Sequence, residues 1–258
     1  MKYCVLASGS KGNMTYIETE HIRVLIDAGI TYKEMMRRMP IPVTRLDAIF
    51  ITHEHTDHIN GLIPIAKKCS ATLYMSEETY AVYVGRFKEK TEGIPVRIIE
   101  VNRKYTLEDL QVFTLKLSHD TSSCYGFIFA HQKRSLAYIT DTGFLPLPYI
   151  ELLKRVDHLI IESNHDIVML NESDRTWALK QRILSVRGHM SNYICAQIIN
   201  TVVQEKRLKT VVLAHLSEEC NTEELAVDTV LAAIKGDYVP EIKVAKQYEA
   251  LELIEVNP

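Results

Sequence analysis

The chain has 258 residues, enough for one large α/β domain or two small ones. Its 47% hydrophobic and 24% charged residues suit a full core and exclude a disordered chain. A net charge of −3 excludes a molecule that is basic overall, so contact with nucleic acid must come from a local patch or from bound metal.

The opening residues, MKYCVLASGSKGN, lack an apolar stretch followed by a cleavage site. No apolar run approaches the roughly 18 residues of a membrane span. Cys4, Cys69, Cys124, Cys195 and Cys220 are scattered and form no C-x-x-C pair, which points away from a disulfide framework or a cysteine zinc site. A reducing cytoplasm is the expected setting.

In chain order, a strand leads into the loop 8–13, and a buried strand at 24–26 ends at Asp27. A helix follows at 33–39, stopping before Pro40. The run 48–52 reads as a strand that delivers the chain to His53. Helices are expected at 62–68 and 77–90, the second capped by Ser76. Strands follow at 96–101, 111–117, 124–130, 135–140 and 158–162, then helices at 177–186 and 192–205. A strand at 210–214, a helix at 222–235 and strands near 242–245 and 250–256 close the chain. Strands alternating with amphipathic helices argue an α/β domain.

Asp27, His53, His119, Asp141, Glu162 and His215 each fall at or just past the end of an apolar strand. Polar residues collected at strand ends are how α/β folds build sites. Residues 53–58 read His-Glu-His-Thr-Asp-His, three histidines and two acids in six residues. In extended chain, residues two apart point the same way, so His53 and His55 can grip one metal while Asp57 and His58 face a second. Imidazole and carboxylate donors suit Zn²⁺, Mn²⁺ or Fe.

This H-x-H-x-D-H motif, with lone His119, lone Asp141 and late His215, resembles the metallo-β-lactamase superfamily, whose fold is a four-layer αβ/βα sandwich. The resemblance spans 1–258 as a single domain. It implies that His53, His55 and His119 hold one metal, that Asp57, His58 and His215 hold another, and that Asp141 bridges them. Asp27 then stands behind a ligand histidine and orients it.

Longer stretches narrow the likeness: LASGSKGN at 6–13, SHD at 118–120, TDTG at 140–143, ESNHD at 162–166, LKQRI at 179–183 and GHMSN at 188–192. They resemble the WalJ/YycJ-like (VicX) nuclease group, which is also similar to RNase Z. Cys124 stands near where that group leads us to expect a proline, and the segment 171–177 lacks an expected Gly and Tyr-Pro. The likeness implies a 5′→3′ DNA exonuclease with two divalent ions, DNA being favoured over RNA. A metal-bridging hydroxide would attack phosphorus, Asp57 would orient or deprotonate it, and His189, supported by Glu162, would protonate the leaving oxygen. The alternative is a small-molecule metallo-hydrolase: a cyclic phosphodiesterase, lactonase or thioesterase.

Further positions have two readings each. Ser10 and Asn13 approach substrate or form a simple turn; Ser191 and Asn192 receive a phosphate or cap a helix. His165 touches substrate or bonds within its own turn. Lys180, Arg182 and Arg187 track a nucleic-acid backbone or form a solvated helix face, and Tyr125 and Trp177 stack on bases or pack in the core.

Overall fold

Two seven-stranded sheets face each other in the computed structural model, which describes residues 1–87 and 91–256. The first sheet holds β1 (Lys2–Ala7), β2 (Met14–Glu18), β3 (Arg23–Ile26), β4 (Ala48–Phe50), β5 (Thr72–Met75) and β6 (Val96–Ile98). The second runs through β7 (Lys104–Leu107), β8 (Leu110–Leu117), β9 (Cys124–His131), β10 (Arg134–Ile139), β11 (His158–Glu162), β12 (Thr210–Ala214) and β13 (Glu241–Val244). The short β14 (Ile254–Glu255) returns to pair antiparallel with β1. In each sheet antiparallel pairs give way to parallel ones, from β3 to β6 in the first and from β10 to β13 in the second.

Strand alternation explains the layers. Val24, Ile26 and Phe50 of the first sheet meet Phe127, Tyr138, Ile160 and Val212 of the second in a shared central core. The intervening Leu25, Ile49 and Leu73 face outward onto α1 (Tyr32–Arg38), α3 (Leu62–Cys69) and α4 (Glu77–Phe87) through Met35, Ile65 and Tyr83. Leu159, Ile161 and Leu213 do the same on the other side, against α5 (Leu147–Leu153), α8 (Asn192–Val203) and α9 (Glu223–Ala233) through Leu153, Ile199 and Val230. Strands covered on both faces read as continuous apolar runs, which is why β11 and β12 are buried at every residue. The result is a four-layer αβ/βα sandwich.

The strands expected at 158–162 and 210–214 have those bounds. The one expected at 48–52 ends at Phe50, because the Asp27 carboxylate takes the Thr52 N–H at 2.8 Å. The strand expected at 250–256 shrinks to two residues. The helix expected at 77–90 runs to Phe87, residues 88–90 lying outside those described; Ser76 Oγ caps it by accepting from Thr79 N at 3.1 Å. The chain reading missed β2, β5 and β7, and three short helices: α2 (Thr56–Ile59), α5 and α6 (Ile167–Glu172). Elements of one or two turns leave too little periodicity to detect. The remaining helix, α7 (Trp177–Leu184), carries the LKQRI segment.

Candidate metal centre and active site

The polar strand-end residues converge. Asp27 follows β3, His119 lies two residues past β8, Asp141 two past β10, Glu162 ends β11 and His215 follows β12. Asp27, Asp141 and His215 have left-handed backbones, with φ of 60°, 57° and 56°. That conformation stores on the order of 1–3 kcal/mol per residue, and here it turns the chain sharply at the strand end. His55 occupies the N-cap position of α2, a single turn that presents Asp57 and His58. Two backbone bonds hold this turn: Asn13 N donates to Asp57 O at 2.7 Å, and Ala28 N to His58 O at 2.8 Å. The approach is so close that a Cβ on Gly29 would lie 1.7 Å from the Asp57 carbonyl oxygen.

Ring nitrogens of His53, His55 and His119 lie close enough together to hold one ion, and Asp57, His58 and His215 form a second such set. Asp141 reaches both. Its Oδ2 is 3.4 Å from His58 Nε2, and its Oδ1 is 3.4 Å from His215 Nε2 and 3.9 Å from His119 Nε2.

Each histidine except His55 is oriented from behind. The Asp27 carboxylate lies 2.7 Å from His58 Nδ1 and also accepts from Thr52 Oγ1 at 2.9 Å. Thr52 Oγ1 in turn sits 2.9 Å from His53 Nδ1, and the Gly188 carbonyl sits 3.1 Å from His119 Nδ1. Glu162 Oε1 is 3.2 Å from His215 Nδ1. An Nδ1–H bonded outward leaves the Nε2 lone pair facing the centre.

The donor set fits metal. His53 Nε2, Asp141 Oδ2 and His215 Nε2 are buried without any hydrogen-bond partner. Each costs about 1–3 kcal/mol unless something satisfies it. Divalent cations would satisfy all three through nitrogen and oxygen donors. The Cys124 sulfur lies 3.8 Å from the outward-bonded His53 Nδ1, and burial pushes its thiol up, so it offers no thiolate.

Electrostatics agree. Burial disfavours ionised Asp57, but His58 and His215 outweigh it and hold its carboxyl well below the usual range. Burial likewise disfavours cationic His58 and His215, yet the carboxylates of Asp27, Asp141 and Asp57 raise the first, and those of Asp141, Asp57 and Glu162 raise the second. The surrounding carboxylates thus favour cationic charge at this place. His53 is pushed well down by burial and by its histidine neighbours, which suits a neutral ligand.

Glu162 also serves His189. Its Oε1 lies 2.6 Å from His189 Nδ1, while Oε2 accepts from Thr142 N at 2.8 Å and Met190 N at 3.2 Å. Burial opposes charge on both partners; their mutual attraction holds His189 up and Glu162 down. The His189 ring stacks on His215 at 5.2 Å between centroids.

A family model described as a β-lactamase superfamily domain matches residues 22–215. The chain belongs to that superfamily. Two of its relatives there are exodeoxyribonucleases by name. WalJ of Streptococcus pneumoniae is 37% identical over 238 residues, covering 89% of this chain and 87% of its own. YycJ of Bacillus anthracis is 34% identical over 232 residues, covering 88% and 86%. The metallo-β-lactamase fold protein YhfI of Bacillus subtilis superimposes with a TM-score of 0.73 at 18% identity, over 97% of this chain and 99% of that one. The superfamily's metallo-β-lactamase fold is therefore the fold of this chain.

Of the residues expected to face substrate, only Ser10 is exposed, and it lines a small cavity beside His189. Asn13 is fully buried and braces the centre, donating to Gly9 O at 3.1 Å and Asp57 Oδ2 at 3.2 Å. Ser191 caps α8 by accepting from Ile194 N at 3.3 Å, and Asn192 is tied inside to Ser163 and Asn221. His165 is buried, pairing through its backbone with Ser191. These four therefore scaffold the site from within.

Lys180 is neither a solvated face nor a backbone tracker, since it is buried and donates to Asn171 O at 2.7 Å. Arg182 and Arg187 do reach the site: one pairs with the Asp120 carboxylate, the other donates to His119 O at 3.2 Å. Tyr125 is core, whereas Trp177 is 66% exposed. Sequence reasoning missed Thr52 and Asp120 as site residues. Asp120 Oδ1 lies 3.4 Å from His119 Nε2, and its place beside His119 was the available signal.

Proposed function

We propose that this chain is a metal-dependent phosphodiesterase that degrades DNA as a 5′→3′ exonuclease with two divalent cations, Zn, Mn or Fe. The carrying observation is Glu162, which ties His189 to candidate ligand His215 through one carboxylate oxygen, at 2.6 and 3.2 Å. A buried carboxylate that keeps a part-exposed histidine cationic makes an acid for an alkoxide leaving group, which a phosphodiester needs. The names of the WalJ and YycJ relatives support the same reading.

In this reading His53, His55 and His119 would hold one ion and Asp57, His58 and His215 the other, with Asp141 lying between the two sets. Bound there, the ions supply Lewis acidity, lowering the pKa of water and neutralising phosphate charge. The chain's own groups do the remainder. Asp27 and Thr52 lock ring tautomers. Asp57, partly open to solvent, orients the attacking water and takes its proton. His189 donates a proton to the leaving O3′. Five buried free cysteines suit a reducing compartment, and no helix among the described residues is long and apolar enough to cross a membrane, so we place the enzyme in the cytoplasm.

The test is nucleotide release from DNA and RNA with Mn²⁺ or Zn²⁺, wild type against His58→Ala. Metal-dependent release from DNA that the variant loses is expected. No release from any nucleic acid overturns the proposal, and turnover of a lactone or thioester but not of bis-p-nitrophenyl phosphate would make the chain a small-molecule hydrolase.

A further inference from the structure

Beside His189 lies a polar cavity of about 120 Å³, whose walls include Ser10, Asn164, Arg175, Arg182 and Ser217. This is well below the roughly 300 Å³ at which sites for drug-sized molecules begin, so the cavity suits a small charged group and no nucleoside. Six chain segments build it: the loop after β1, Asp120 past β8, the ends of β11 and β12, α7 with the residues before it, and Gly188–His189 before α8.

Both arginines are held in place. Arg175 Nε donates to Glu219 at 2.9 Å and its Nη2 to Ser217 Oγ at 3.4 Å. Arg182 Nε pairs with Asp120, whose other oxygen faces His119. A guanidinium carries five N–H donors, so each arginine keeps donors for an anion. The Glu219 partner is 69% exposed, and such a pair yields readily to a more highly charged ligand.

We infer that this cavity is a subsite for the 5′-terminal phosphate monoester of the DNA strand being degraded, an inference that rests on the exonuclease reading above. A monoester carries about −1.5 to −2 charges at neutral pH and three acceptor oxygens, against one charge on a backbone diester, and two fixed guanidinium groups match the former. Position agrees with chemistry. His189 lines the same cavity, so the nucleotide leaving through O3′ lies toward it, with its 5′-phosphate at the far end. Water adds its oxygen to phosphorus and gives its proton to Asp57; the P–O3′ bond breaks, and O3′ takes the His189 proton. The released product is a 5′-mononucleotide. The shortened strand carries a new 5′-phosphate, which fits the same cavity in the next cycle.

The experiment measures binding, by fluorescence anisotropy with the Mn²⁺-loaded protein, of hydrolysis-resistant phosphorothioate oligodeoxynucleotides of one sequence. They bear a 5′-phosphate, a 5′-hydroxyl or only a 3′-phosphate; release rates from the cleavable versions run in parallel. Wild type is expected to prefer the 5′-phosphate by roughly tenfold or more, as charge-assisted hydrogen bonds predict. The ratio falls to about one in Arg175→Gln/Arg182→Gln, and also in Leu179→Trp, which fills the cavity without changing charge. Arg103→Gln, at an exposed arginine paired with Glu100 outside the cavity, keeps the preference. Equal binding of all three ends by wild type overturns the inference, as does uniform weakening in the double variant, which marks a backbone diester. An end preference without cleavage would retain the subsite and refute the nuclease; cleavage without an end preference would do the reverse.

Discussion

The two halves of the sandwich follow one strand plan but build their share of the centre differently. In the first half, His53, His55, Asp57 and His58 come from six consecutive residues, fixed by Asp27, Thr52 and the backbone beside Gly29. In the second, His119, Asp141, Glu162, His189 and His215 come from five separate segments. There a single buried carboxylate, Glu162, ties β11, the residue after β12 and the turn before α8 together. One half obtains precision from local backbone bonds, the other from a long-range side-chain clamp.

Removing a candidate ligand from either half tests whether the two contributions are equal. His58→Ala and His215→Ala should each lower metal-dependent hydrolysis on the order of 10³-fold or more, since several kcal/mol of charge stabilisation are lost. Each should also lose bound metal by elemental analysis. If His215→Ala retains both ions and its rate, the local motif suffices and the comparison fails.

The clamp itself gives the next effect. His189→Gln should lower kcat on DNA by about 10²–10⁴-fold. The loss should be far smaller on bis-p-nitrophenyl phosphate, whose leaving group needs no proton, with metal content unchanged. An equal loss on both substrates would assign His189 a different role. On the local side, Asp27→Asn should weaken metal affinity by about 10–100-fold in a chelator competition while the fold persists.

The smallest effect concerns pH. Without metal, His58 and His215 have pKa values raised above the ordinary 6.5, because carboxylates surround them. The stabilisation from those protons is fully present below about pH 6.5 and is lost as pH rises through the raised values. Metal must displace the same protons. The Tm gain on adding Mn²⁺ should therefore be larger at about pH 8.5 than at about pH 6. A gain that shrinks with rising pH would show that these histidines do not exchange protons for metal.

Much of the centre was legible because ligand chemistry and strand ends coincide. A buried apolar run followed by His or Asp, as at Ile139–Asp141 or Ala214–His215, marks a site without any contact being known. For Asn13, Ser191 and Asn192 the sequence left two readings open and the structure gives the inward one, since polar loop residues read alike whether they face substrate or the protein's own backbone. Lys180 misled for the opposite reason: nearness along the chain grouped it with Arg182 and Arg187, but its ammonium turns inward and donates to Asn171 O.

The sequence by itself determined the candidate donors at strand ends, the alternation of strands with helices and the motif that starts the centre, because strand periodicity and ligand type are local properties; the layered arrangement followed only from the family resemblance. Only the tertiary structure decided which carboxylate orients which histidine, and that Arg175 and Arg182 meet beside His189. Those pairings depend on how separate strand ends are packed side by side, and no spacing along the chain encodes that distance.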